Sequence, residues 1–144
     1  MTMSAQPRSR SLRRAQDGQA LVELALVLPI LLLLVLGIIQ FGILFNNYLT
    51  LTDAVRAGAR QAAVSRSVAD PVAATESRIK GSAAGLDASD LAITVTPRDP
   101  SDGSATWVQG GDVTVEATYP YAIDLFGVVV MSGRLESETT ERVE

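Results

Sequence analysis

The chain has 144 residues, a formal net charge of −4, no cysteine and no histidine. Without cysteine there is no disulfide, thiolate zinc site or thiol nucleophile, and without histidine the commonest general base and metal ligand is missing. The charge is uneven: Arg8, Arg10, Arg13 and Arg14 against Asp17 give residues 1–17 a charge of +3, and the remainder carries −7, an acidic balance that argues against a nucleic-acid surface.

The basic head has the character of a topology signal, because arginines flanking an apolar segment are retained on the cytoplasmic side. Behind it, Leu24–Phe45 is a run of 22 residues in which Gln40 is the one conventional polar side chain. As a helix this run is about 33 Å long, enough to cross a hydrocarbon core of about 30 Å. A cleavable secretory signal would have a shorter apolar region, about 7–15 residues, ending in a small-x-small site. Here Leu24–Ile39 already exceeds that, and "QFGILFNNY" offers no Ala-x-Ala site. Pro29 falls near the start of the segment, where a missing N–H costs least. Gly37 and Gly42 are either ordinary membrane-helix glycines or points of close approach.

The helical pattern continues past the apolar run through "NNYLTLTDAVRAGARQAAVSR" without proline. Leu44, Tyr48, Leu51, Ala54 or Val55, Gly58 and Ala62 form one stripe at three- and four-residue steps. Within it Ala54, Gly58 and Ala62 make a small-xxx-small ridge. Two uses remain open for that ridge: packing on the chain's own soluble part, or on another subunit. The combined helix is expected to be roughly 45 residues, about 65–70 Å.

Pro71 as a first-turn residue and Gly85 as a stop predict a short helix over 72–84. Next comes "LAITVTP", which alternates at Leu91, Ile93 and Val95, then the turn cluster "RDPSDGS". "ATWVQ", "VTVEATY" and the closing "RLESETTERVE" complete a set of three or four strands. Short turns between them imply a meandering antiparallel sheet, covered by the membrane-proximal helix. The fold class is therefore α+β: a long N-terminal transmembrane helix, continuing outside the membrane, packed on a small antiparallel sheet.

No chemistry-bearing constellation emerges. Asp99, Ser101, Asp102 and Gly103 faintly resemble a calcium loop, but the twelfth position from Asp99 is Gly110, not glutamate, so a Ser/Asp/Gly turn is the reading. Lys80 and Ser82 are two residues apart on a helix and point apart. Asp87 and Asp90 read as caps or solvated side chains, and Trp107 as core or sheet surface. No nucleophile, base and stabiliser come together, so the chain is read as non-catalytic, without metal or cofactor.

With the segments placed, the basic leader, "DGQALVELALVLPILLLLVLGIIQFG", "LTDAVRAGARQAA" and a terminal "ERVE" resemble the TadE-like minor pilins of the tight-adherence (Flp-type) pilus system. The resemblance runs through residues 14–64, and beyond them is limited to the helix-then-strands layout and Arg142-x-Glu144. It implies a minor pilin or pseudopilin in a bacterial cytoplasmic membrane, processed by a prepilin peptidase that cuts after Gly18. Gln19 then becomes the new N-terminus and Glu23 the fifth mature residue; Leu24 stands where the family often has an aromatic.

The layout becomes a cytoplasmic leader over 1–18, a candidate for cleavage, a transmembrane helix over 19–45, a helical extension over 46–66 and an extracytoplasmic α+β domain over 67–144. Expected partners are membrane lipid, the peptidase, other pilins or pseudopilins and the membrane platform of the machine, with the N-terminus in the cytoplasm. The alternative is an uncleaved single-pass anchor whose outer domain binds a protein or envelope ligand.

Glu23 is compatible with either reading. In a first helical turn the helix dipole favours a carboxylate by about 0.3–1 kcal/mol, whereas at a bilayer centre the charge costs about 2.5–3.5 kcal/mol or more. At the interface the cost is small. In a filament, the α-amino group freed at Gln19 is its natural partner.

Overall fold

The computed structural model describes residues 9–144, with side chains from Gly18 onward. The chain divides into two compact units, Met1–Ile39 and Gln40–Glu144. Helix α1, Ser9–Ala63, is longer than the pattern alone implies, because it begins inside the arginine-rich head. Leu12, Arg13, Arg14, Ala15 and Gln16 are all strong helix formers, so nothing in that stretch opposes an early start.

In the first unit the apolar part of α1 is exposed among the described residues. Leu26, Ile30, Leu34 and Ile38 are each 59–71% exposed. The helix runs through Pro29, which has no N–H to offer the carbonyl one turn back.

The second unit has a core. Along α1, Leu51, Ala54, Val55 and Ala62 of the expected stripe are fully buried, as is Ala59 beside it, whereas Tyr48 at the stripe's start is 42% exposed. They cluster with Ile79, Val113, Val115, Ala117 and Val143. Truncating a side chain such as Leu51 or Ile79 to alanine would cost about 2–5 kcal/mol, so these positions hold the unit together.

Helix α2 spans Pro71–Ser82, within one or two residues of the expected 72–84. Asp70 caps it, accepting from the Ala73 N–H at 2.9 Å, and Pro71 occupies the first turn, where a missing donor is harmless.

Three strands follow: β1, Ala92–Arg98; β2, Asp112–Leu125; β3, Val128–Arg142. They form one antiparallel sheet in the order β1-β2-β3, a meander. Leu91, Ile93 and Val95 face inward, as their alternation requires. Strand β2 presents Val113, Val115 and Ala117 to α1 by the same rule.

"ATWVQ" is not a strand: the segment is irregular and ends in a turn. Its tryptophan has a different partner, the Ala62 carbonyl near the end of α1, to which Nε1 donates at 3.1 Å. The last residues serve the same helix end. Val143 is buried and pairs with Gly110 and Gly111, and the Glu144 N–H donates to the Ala63 carbonyl at 3.0 Å. Carbonyls that a helix C-terminus leaves open are thereby satisfied.

Strands β2 and β3 continue together well past β1. Pairing extends from Tyr119 with Leu135 to Leu125 with Val128, with an irregularity at Ile123/Asp124. A two-residue turn closes this hairpin, with Phe126 at φ 56° and Gly127 at φ 82°, the positive values that a type I′ turn requires. Asp124 Oδ1 accepts from the Gly127 N–H at 2.8 Å.

Candidate membrane and assembly site

The entry to the apolar helix is open. Among the described residues, Gly18 has free space where a side chain would project. One turn on, Gln19 Nε2 donates to Glu23 Oε1 at 3.1 Å, the i,i+4 contact that helical spacing offers. Both side chains are exposed, so this amide is a weak and replaceable partner. Arg8 lies outside the described residues, as do the side chains of Arg10, Arg13 and Arg14. Beyond Glu23 the helix is apolar and long enough to be a candidate membrane span, and none of its most apolar stretch is buried against other parts of the chain.

In the second unit Ala54, Gly58 and Ala62 are all buried. A Cβ at Gly58 would overlap the Ile79 side chain of α2, so glycine permits that close crossing. The ridge therefore touches the chain's own domain. Outside it, Asp53 and Arg56 form an exposed ion pair at 3.7 Å, of a kind worth little in water.

Farther up α1, Gln40 Nε2 donates to the Asp124 carbonyl of the hairpin at 2.9 Å. A groove lies beside this bond, with Leu44 and Asn47 on the helix side and Tyr119, Tyr121 and Ile123 on the strand side. Sequence reading missed this contact and the hairpin that makes it. The available signal was the stretch 117–133, in which Asp124 is the one charged residue.

The acidic turns hold themselves. Asp99 Oδ1 accepts from the Ser101 N–H and hydroxyl at 2.8 and 2.6 Å, and Asp87 Oδ1 does the same for Ser89 at 2.9 and 2.7 Å. Asp102 accepts from the Ser104 N–H at 2.8 Å. Hydrogen bonds from the Ser89 hydroxyl and N–H lower the Asp87 pKa, and those from the Ser104 N–H and hydroxyl lower that of Asp102. Lys80 pairs with Glu76 at 3.3 Å, one turn back on α2.

An open glycine, a glutamate five residues later, an exposed apolar helix and its small-residue extension are the parts that a family comparison can weigh. Residues 18–60 match the family model described as TadE-like protein. The TadE-like match begins at Gly18 and ends near the close of α1, leaving α2 and the sheet outside it. It supports a Tad pilus-associated component, of a family that is structural in general rather than catalytic. No curated protein and no solved structure matches the chain.

Proposed function

We propose that the protein is a minor pilin or pseudopilin of a Tad/Flp-type pilus or secretion assembly. The carrying observation is the TadE-like match, which opens at Gly18 ahead of an exposed apolar helix. In this reading the peptidase cuts between Gly18 and Gln19, Leu24–Phe45 stays in the cytoplasmic membrane, and the residues after about 46 lie outside. Arg8, Arg10, Arg13 and Arg14 hold the leader inside. Residues 1–18, 19–45, 46–66 and 67–144 are the working segments. Glu23 is exposed and, among the described residues, is met by the Gln19 amide, a partner that a freed α-amino group in an assembly would replace. The protein contributes surface and anchorage, and its partners are lipid, the peptidase, other pilins and the membrane platform.

Deletion of the protein is expected to abolish surface piliation, with recovery by the wild-type chain and poor recovery by Glu23→Ala, scored by electron microscopy of cells. Normal piliation in the deletion strain would contradict the assembly role.

One observation favours the uncleaved anchor. Gly18 lies within the continuous helix Ser9–Ala63, so a peptidase would have to unwind a helical turn to reach the bond. An anchored binding domain needs no such step, and the mass of the cellular protein separates the two readings.

A further inference from the structure

We propose that the tip of the β2–β3 hairpin is a second membrane contact, seated in the interfacial layer of the bilayer that the apolar helix crosses. The proposal rests on reading Leu24–Phe45 as a span.

Phe126, Val128, Val129, Val130 and Met131 are each 55–68% exposed. Four consecutive apolar residues on one strand leave both faces of the hairpin greasy, whereas a water-facing strand pair alternates. The one carboxylate nearby, Asp124, is engaged by the Gly127 N–H in the turn. Phe126 adds a second oddity. It holds a left-handed φ of 56°, where asparagine or glycine sits more easily, and still presents an aromatic ring outward. A backbone outlier of this kind invites a functional reading.

Position within the second unit chooses lipid as the occupant. Residues 51–62 of α1 share a core with Val113, Val115 and Ala117 at the start of β2, while Gln40 meets Asp124 near its end. Within this unit the hairpin therefore runs antiparallel to α1, and its tip lies at the Gln40 end. Gln40 lies inside the apolar run, five residues before Phe45, which is about 7–8 Å along a helix. A tip tethered at Gln40 shares whatever environment surrounds the helix there. Tyr119 and Tyr121 stand at the neck and Arg134 follows, the amphipathic types that suit a membrane–water boundary.

Backbone chemistry limits the depth. Beyond β1 the hairpin is only two-stranded, so its edges keep unpaired N–H and C=O groups that hydrocarbon does not tolerate. The layer about 5–10 Å deep at the headgroup boundary still supplies hydrogen-bond partners. That range agrees with the position of Gln40.

The full chain lacks cysteine, so single cysteines can report depth in phosphatidylcholine/phosphatidylglycerol vesicles. Val129→Cys carries an environment-sensitive fluorophore at the tip, with Leu31→Cys as the reference in the span and Ser101→Cys as the reference in a surface turn. Nitroxide lipids labelled shallow or deep in the acyl chain serve as quenchers. The expected result is a blue-shifted Val129 label, quenched several-fold more than the Ser101 label and most strongly by the shallow nitroxide. A Val129 label quenched no more than Ser101, while Leu31 is strongly quenched, overturns the proposal and leaves the span intact. A blue shift without lipid quenching, accompanied by energy transfer between copies, would assign the tip to a second copy and also overturn it. A Leu31 label in water would overturn the span reading and this proposal together.

Discussion

At Gly58 two opposing effects meet. Glycine within a helix costs about 0.5–1 kcal/mol relative to alanine, yet here a side chain would overlap buried Ile79. Overpacking a filled core costs about 1–3 kcal/mol, so it outweighs the helix gain. Gly58→Val is therefore expected to lower the melting temperature of the detergent-solubilised protein, and Ile79→Ala in the same chain should cost less than its separate effect adds. Gly81→Ala, at an open site on α2, is the matched control and should be neutral or stabilising by up to about 1 kcal/mol. Phe126 behaves in the opposite way. Phe126→Asn removes a left-handed penalty of about 1–2 kcal/mol and should stabilise the hairpin in detergent, read by thermal unfolding, while weakening its contact with vesicles.

Among the elements, those with a regular local period could be read directly from sequence. The stripe through Leu51, Val55, Gly58 and Ala62 marked the buried face of α1, and Leu91, Ile93 and Val95 marked that of β1, because each segment buries one side only. Trp107 shows where local pattern fails: β-rich neighbours suggested a strand, but its ring nitrogen is claimed by Ala62, 45 residues earlier. The hairpin tip eluded pattern for another reason. With both faces of Val128–Met131 exposed there is no alternation to detect, and Phe-Gly lacks the usual Asn-Gly turn signature. Of the candidate site, Gly18 and Glu23 were visible as spacing, whereas the bond from Gln40 to Asp124 joins residues 84 apart and needed the fold.

The acidic turns carry their own prediction at this scale. Asp87 and Asp102 have pKa values below the ordinary 3.8, so their hydrogen bonds favour the folded form above that value and are lost as pH falls through the lowered ones. The Ser89 and Ser104 amide resonances should therefore titrate with midpoints below the ordinary carboxylate value, whereas in Asp87→Asn the Ser89 amide should no longer titrate in that range.

For the molecule as a whole, the two units divide the work. The first offers an exposed apolar helix with an open glycine at its entry; the second folds around its own core and satisfies the end of α1 with Trp107 and Glu144. Among the described residues the core of the second unit begins at Leu51, well beyond the Gly18–Gln19 bond. Both the assembly role and the part given to Glu23 depend on cleavage of that bond. The most direct measurement is the intact mass of the protein from cells that carry an active prepilin peptidase. The expected product begins at Gln19, and Gly18→Ala should leave the full-length chain; finding only full-length wild-type protein in those cells would contradict processing and favour the anchor.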